Sequence, residues 1–168
     1  MKRVLYAVAA VVAVLVFGSS VFAVSTQDSE QVRAAADQYL SGVPDNGYHL
    51  SADDVLKRLM SGSKDFQIVD VRDKIEKYNA GHIPGAIYIN YKDIAKPENL
   101  AKLSRDKDII LYCNTGHEQN KAMSALRMLG YRAYALKFGY VAWKKEKPTE
   151  AMQKAIDNAS QKSYPIEK

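Results

Sequence analysis

The stretch from Leu111 to Tyr131, LYCNTGHEQNKAMSALRMLGY, decides the fold and holds the only cysteine of the chain, Cys113. It begins as the end of an apolar run, continues as a short polar loop with one glycine, and ends with apolar residues at helical spacing. This order predicts a buried strand, a tight loop and an amphipathic helix. Cys113 would then lie at the exit of the strand, whereas a cysteine that only fills the core more often lies inside one.

Strand-like and helix-like segments alternate on both sides of this stretch. The predicted strands are residues 66–72, 86–90, 108–113 and 131–136; the predicted helices include 52–60, 73–81, 91–105 and one that begins near Gln119. A capping box at Ser51 marks the first of these helices, and Pro97 predicts a break in the third. The alternation predicts a parallel sheet covered on both faces, in which ligands bind beyond the carboxyl ends of the strands.

The first 23 residues differ from the rest of the chain. They begin with Met-Lys-Arg, continue with an uncharged apolar run and end in small residues, with a cleavage signal at Val21-Phe22-Ala23. Two interpretations stay open: a cleaved secretory signal peptide, which the polar interruption at residues 18–20 favours, and an uncleaved anchor, since the run is long enough to span a bilayer. Under both, the rest of the chain is exported, to the periplasm or another extracytoplasmic space.

Charge and composition exclude several kinds of site. The chain carries 24 Lys and Arg against 19 Asp and Glu, a net charge of +5, and these charges are interspersed, so nucleic-acid binding is not expected. The three histidines, His49, His82 and His117, lie far apart without ligand spacing, so no metal site is expected. A single cysteine cannot form an internal disulfide. Cys113 is therefore either a core residue or a reactive thiol.

The loop after the cysteine favours the reactive thiol. Residues 114–118 join a strand directly to a helix, so their backbone N–H groups turn inward and form an anion-binding nest beside the positive end of the helix dipole. Gly116 permits the tight curvature. We expect this nest to lower the pKa of the Cys113 thiol from about 8.5 and to hold the negative charge of a persulfide.

Five blocks of the sequence resemble a single-domain rhodanese of the exported bacterial type, in order and spacing, over about residues 48–147. They are Asp70-Val71-Arg72, the segment from Gly81 to Ala86, Tyr112-Cys113 with Gly116, Leu129-Gly130-Tyr131, and the segment from Leu136 to Trp143. The resemblance implies an α/β, rhodanese-like three-layer fold, with a central five-stranded parallel sheet and helices on both faces. It implies no metal or organic cofactor.

The resemblance also implies a function and a domain organisation. Cys113 would take sulfane sulfur from thiosulfate, a polysulfide or a persulfide, and pass it to a thiol- or cyanide-type acceptor or to a persulfide-accepting protein. We expect a monomer that meets the membrane only if the N-terminal segment is uncleaved. The predicted parts are a signal peptide or anchor at 1–23, a helix or linker at 24–47, the rhodanese-like domain at 48–147 and a C-terminal helical tail at 148–168.

The candidate site residues follow from these motifs. Cys113 is the predicted catalytic residue, and the predicted cradle around its persulfide is Asn114, Thr115, Gly116, His117, Glu118 and Gln119. Positive charge near an anionic substrate could come from His117, Lys121 and Lys137. His117 could also donate a proton, but an exposed loop histidine is favoured. A structural role is predicted for the matched positions Asp70, Arg72, His82 and Gly85.

The loop departs from the family pattern. Active rhodaneses often have an arginine followed by serine or threonine where this chain has Glu118 and Gln119, and often a glycine where it has Phe138. If Glu118 points into the cradle, it raises the thiol pKa and repels anionic donors. If it points outward, as we expect, it is a favourable acid in the first helical turn. The aromatic ring of Phe138 is expected to narrow the rim of the pocket.

Three functions other than sulfur transfer are compatible with parts of the sequence. A catalytically weak or inactive binding module stays open, because Glu118 replaces the usual loop arginine. A phosphatase with a Cys-x₅-Arg loop is disfavoured, because Gln119 lies where that arginine would have to be. A redox thioltransferase is disfavoured because the chain has no resolving cysteine.

Overall fold

The computed structural model of the chain describes residues 25–144 and 150–162. Within them the strands are β1 (His49–Leu50), β2 (Phe66–Asp70), β3 (Ile87–Tyr88), β4 (Asp108–Tyr112) and β5 (Ala133–Leu136). The helices are α1 (Thr26–Ser41), α2 (Ala52–Met60), α3 (Ile75–Ala80), α4 (Pro97–Leu100), α5 (His117–Met128), α6 (Tyr140–Trp143) and α7 (Glu150–Lys162), with a 3₁₀ turn at Tyr91–Asp93.

The strands form one parallel sheet in the order β1-β5-β4-β2-β3. Strand β4 is therefore central, and its last residue, Tyr112, pairs with Asp70 at the end of β2. The predicted α/β class and five-stranded parallel sheet are confirmed. The residue patterns, without the family resemblance, predict only four strands. They miss β1 because it has two residues and shows no period-2 pattern.

Alternate residues of β4 point to opposite faces of the sheet, and each face has its own core. Leu111 and the following Cys113 belong to a cluster with Met123 of α5, whereas Ile110 and Tyr112 belong to a cluster on the other face. That second cluster also contains Val55 from α2, Tyr140 from α6 and part-buried Tyr78 from α3. Helices therefore cover both faces, and the cysteine side chain lies on the α5 side.

The first residues of three helices can be compared with the starts predicted from the sequence. The hydroxyl of Ser51 accepts the backbone N–H of Asp54 at 3.1 Å, so the predicted capping box is confirmed. Pro97 is the first residue of α4 and does not interrupt a longer helix, because a first-turn position needs no N–H donor. Helix α5 begins at His117, two residues earlier than predicted, with Gly116 at φ +104° as its N-cap.

Some predictions fall outside the described residues. These are the leader at 1–23 and, in the C-terminal tail, residues 148–149 and 163–168. The part of the tail that the structure describes contains α7, as expected for a terminal helix. None of the helices in the described part of the chain has the length and apolar character needed to span a membrane. The predicted domain boundaries stay predictions.

Candidate active site

Cys113 follows directly after the central strand, and its backbone is held on both sides. Its N–H donates to Oε1 of Gln119 at 2.7 Å, and its carbonyl accepts the N–H of Tyr140 at 2.8 Å. Its side chain is fully buried and packs in the cluster that contains Val71 and Met123. The strand exit thus presents a thiol that is fixed in position and covered by protein.

The environment of the thiol favours its protonated form. Burial raises the pKa of the Cys113 thiol, and a hydrogen bond with the Glu118 side chain raises it further. The backbone N–H of Gln119, and that of Gly116 at 3.2 Å from Sγ, lower the pKa by smaller amounts. The predicted nest is therefore present, but the prediction that it lowers the thiol pKa is wrong because burial and the neighbouring carboxylate outweigh it.

The outward orientation of Glu118 favoured from the sequence does not agree with the electrostatics of the site, because the Glu118 side chain raises the pKa of the Cys113 thiol. Side chains of a helix lean toward its N-terminus, and the early start of α5 at His117 places Glu118 in a turn that leans over the loop. The hydrogen bond with Cys113 lowers the pKa of Glu118, which nearby His117 and Lys121 also lower. The two shifts agree: the proton resides on the thiol and the charge on the carboxylate.

Gln119 has a role that the sequence reasoning missed. Its amide is fully buried and bridges two strand ends, since Oε1 accepts the Cys113 N–H while Nε2 donates to the carbonyl of Leu136. The side chain therefore shapes the loop, and its backbone N–H is the part that faces the thiol. The sequence holds one signal for burial: Gln119 continues the apolar stripe of α5 formed by Ala122, Met123 and Leu126.

The segment after β5 packs against the backbone of the cysteine loop. Gly139 has φ +68°, and a Cβ at this position would lie 2.7 Å from the carbonyl oxygen of Cys113. The N–H of Val141 donates to the carbonyl of Asn114 at 3.1 Å. Phe138 also has a positive φ, +64°, and its side chain is 62% exposed. A close backbone approach thus requires glycine at 139, while Phe138 is conformationally strained beside the loop.

A cavity of about 450 Å³ lies beside the loop. It brings together predicted cradle residues and two of the predicted sources of positive charge, His117 and Lys137, since its walls include Thr115, Gly116, His117, Gln119, Lys137 and Phe138. His117 is exposed, and its Nδ1 lies 3.0 Å from Oγ1 of Thr115. Cys113 does not line this cavity. The cavity therefore adjoins the loop on the β5 side without opening onto the thiol.

The third predicted cation lies elsewhere. The ammonium of Lys121 is 5.6 Å from the ring centroid of Tyr91, a cation–π contact on the exposed surface of α5. Lys121 therefore acts on the site at a distance, through its favourable effect on the Glu118 carboxylate.

The motif residues at the end of β2 form a buried ion pair on the opposite face of the sheet. Nη2 of Arg72 lies 2.5 Å from Oδ2 of Asp70 and also donates to the Gly81 carbonyl at 2.7 Å. The hydroxyl of Tyr112 donates to Asp70 at 2.9 Å and accepts the N–H of Ile83 at 3.1 Å. Burial raises the pKa of Tyr112, which keeps it a donor. This network ties the end of β2 to β4 and to the following turn.

His82 and Gly85 belong to that same turn. The imidazole of His82 stacks on the ring of Tyr78 with 3.9 Å between centroids, and its Nδ1 lies 3.0 Å from the Tyr78 carbonyl oxygen. Gly85 has φ +77°, a conformation that glycine adopts without strain. Both residues shape the turn, and among the described residues no hydrogen bond or ring contact joins either of them to the cysteine loop.

The comparisons with known proteins agree with this architecture. The family described as the rhodanese-like domain matches residues 51–146. The chain belongs to the rhodanese-like domain family. The rhodanese-like domain is 36% identical over 92 residues to the probable adenylyltransferase/sulfurtransferase MoeZ of Mycobacterium tuberculosis. That match covers 54% of this chain and 23% of MoeZ, so this chain spans about a quarter of that relative.

Two further matches cover most of the other protein. The thiosulfate sulfurtransferase GlpE of Shewanella oneidensis is 31% identical over 96 residues, which are 56% of this chain and 90% of GlpE. A rhodanese-like domain protein from Staphylococcus aureus, known from its crystal structure, is 30% identical with a TM-score of 0.52, over 57% of this chain and 90% of that one. The rhodanese-like domain therefore has the fold of its family. Its relatives include proteins named as sulfurtransferases.

Proposed function

We propose that this rhodanese-like domain is a sulfurtransferase or persulfide carrier whose sulfur passes through a persulfide on Cys113. The observation that carries the proposal is the position of the thiol at the exit of the central strand, with the Gly116 N–H 3.2 Å from Sγ and the N-terminus of α5 directly behind it. Backbone N–H groups at a helix start stabilise negative charge, which a sulfur transferred to the thiol brings.

Both half-reactions are exchanges at sulfur. In the first, Sγ attacks the sulfane sulfur of a donor R–S–SH, an S–S bond to Cys113 forms, and the donor's own S–S bond breaks to release RSH. In the second, an acceptor thiolate attacks the outer sulfur of Cys113–S–SH, and the Cys113 thiol is restored. No net oxidation occurs, so the chemistry needs one cysteine and no resolving partner.

Mass spectrometry of the intact protein tests the proposal. The purified wild type, treated with polysulfide, an alkyl persulfide or thiosulfate, should gain one sulfur atom, about 32 Da, at Cys113 and lose it on addition of a thiol acceptor. The variant Cys113→Ser is the control and should gain nothing. Absence of the added sulfur with all three donors would reject the proposal.

A binding module that uses the fold without catalysis is the second candidate. Full burial of Cys113 and the raised pKa of its thiol favour it, because an inert thiol has both properties. Slow alkylation is expected under both candidates, so alkylation does not separate them. Turnover does: a module accumulates no thiocyanate or acceptor persulfide when donor and acceptor are supplied in excess, whereas a transferase forms product over many cycles.

We propose further that the domain acts outside the cytoplasm. The basic start, apolar run and small residues of positions 1–23 support export, either with cleavage after Ala23 or with the segment kept as an anchor. A fusion of residues 1–47 to alkaline phosphatase should be active only in the exported state. N-terminal sequencing of the exported protein then separates cleavage from anchoring, and an inactive fusion would argue against export.

A further inference from the structure

The first part of β2 has a neighbouring strand on one side only. On that side, β4 pairs with the whole of the strand, from Phe66 to Asp70. On the other side, β3 pairs only with Val69 and Asp70. Residues 66–68 therefore form a border of the sheet, and we call this border the open edge. Such a border offers backbone hydrogen-bonding groups to another chain.

The backbone polar groups of the open edge point away from β4. Successive residues of a strand turn their N–H and C=O groups to opposite sides, and the Asp70 carbonyl accepts the Ile89 N–H on the β3 side at 3.0 Å. Phe66 and Ile68 therefore face the same side as Asp70. There, the N–H of Ile68 and both backbone polar groups of Phe66 have no hydrogen-bond partner among the residues that the structure describes. The chain does not reach them, because Gly85 at φ +77° turns it just before β3 begins.

A cavity of about 530 Å³ lies against the open edge. Apolar side chains from α2, from β2, from the turn into β3 and from the segment before β4 share its walls: Leu59, Phe66, Ile68, Pro84, Ile87 and Leu103. The cavity lies at the amino ends of the strands, whereas Cys113 follows the carboxyl end of β4. A segment held in this cavity therefore leaves the cysteine loop uncovered.

The charge around the cavity is positive. Lys64, Lys102 and Lys107 line it, and its lining residues include no aspartate or glutamate. Neither Lys64 nor Lys107 forms an ion pair within the described part of the chain, and Nζ of Lys102 donates to the neutral side chain of Asn99 at 2.8 Å. Lysines beside a sheet edge oppose its pairing with a second copy of the same chain, because the two copies repel each other. An acidic partner is attracted by the same three charges.

We propose that the open edge binds an extended, acidic segment of a partner protein, which adds a short strand beside β2 in line with β3. A carbonyl of the segment accepts the Ile68 N–H, and an N–H of the segment donates to the Phe66 carbonyl. Apolar side chains at alternate positions of the segment enter the cavity, and its acidic side chains lie near the lysines. The proposal is independent of the sulfur chemistry, since it holds equally for a transferase and for a binding module.

NMR spectra of the ¹⁵N-labelled protein test the proposal with a defined probe. The probe is a peptide of five residues in which glutamate and valine alternate, acetylated and amidated at its ends. On titration, the amide signals of Phe66 and Ile68 should shift. A peptide with lysine in place of glutamate tests the charge, and one N-methylated at alternate residues tests the backbone pairing; both should leave these two signals in place.

Paired lysine variants measure the contribution of charge. Lys64→Gln combined with Lys107→Gln should weaken binding of the glutamate peptide about tenfold, because two cations beside the segment are lost. Lys57→Gln combined with Lys92→Gln is the matched control. It removes the same net charge from exposed lysines that do not line the cavity, and it should leave the affinity unchanged.

Several results would overturn the inference. The glutamate peptide could leave the signals of Phe66 and Ile68 unmoved, or the lysine peptide or the N-methylated peptide could move them equally. Equal losses of affinity in the two paired variants would show that net charge, and not this cavity, attracts the peptide. Shifts of the same signals with protein concentration alone would show that a second copy occupies the edge. The mass gain at Cys113 is measured separately, so none of these results decides the proposed function.

Discussion

Replacement of Gln119 by leucine should destabilise the domain through the backbone of the cysteine loop. The substitution removes the acceptor of the Cys113 N–H at 2.7 Å and the donor to the Leu136 carbonyl, and both groups lie at strand ends beneath a fully buried side chain. Each buried polar group left without a partner costs about 1–3 kcal/mol. The two groups together cost about 2–6 kcal/mol and burial of the leucine side chain returns about 1.5–3 kcal/mol, so the central values predict that the free energy of unfolding falls by about 2 kcal/mol.

A second glutamine in the chain provides the matched control. Gln67 makes the same pair of contacts, since its Nε2 donates to the Lys102 carbonyl at 2.8 Å and its Oε1 accepts the Ser104 N–H at 3.2 Å. It is only half-buried and lines an open cavity, so water can replace the lost bonds in Gln67→Leu. Urea unfolding followed by the fluorescence of Trp143, the only tryptophan, measures both variants. Equal losses for the two variants would refute the bridging role of Gln119.

Three further predictions concern the ion pair, the thiol and the strained aromatic residue. Asp70→Asn should cost about 3–5 kcal/mol because it leaves Arg72 buried without its partner, and the double variant with Arg72→Met should cost less than the two single costs combined; additive losses in urea unfolding would contradict this. Since the pKa of Cys113 is raised on folding, its contribution to stability is complete below about pH 8.5 and is lost as pH rises through the folded pKa. The stability difference between wild type and Cys113→Ala should therefore shrink from pH 7 to pH 10, and a constant difference would count against the raised pKa. Phe138→Gly should raise the free energy of unfolding by about 1 kcal/mol, because the ring is 62% exposed and the backbone at φ +64° suits glycine; a lower melting temperature would show that the ring contributes more than the strain removes.

The main elements of the fold could be predicted because their signals are local. The apolar run of β4, the capping box at Ser51 and the stripe along α5 each reflect burial or hydrogen bonding within a few residues. Strand β1 has only two residues, and it exists because its backbone pairs with β5, a long-range contact that no local pattern encodes. The family resemblance implied a fifth strand where the residues alone did not.

The site was harder to predict because its chemistry depends on where one helix begins. A start at Gln119 would have left Glu118 in the loop, free to face solvent; the actual start at His117 turns it toward the thiol. The pKa of the thiol depends on the balance between burial and the backbone donors, and only the three-dimensional arrangement of these groups determines that balance. The position of Cys113 at the end of the central strand depends neither on the helix start nor on this balance, and the sequence predicted it.

The structure separates what shapes the loop from what sets its chemistry. The backbone of Cys113 and Asn114 is held by N–H groups of Tyr140 and Val141 and by the Gln119 amide, and none of these contacts involves the Glu118 side chain. Position 118 can therefore change from a cation to an acid while the loop keeps its form. Because Glu118 is one cause of the raised pKa of Cys113, such a change should shift the pKa of the thiol and leave the fold intact.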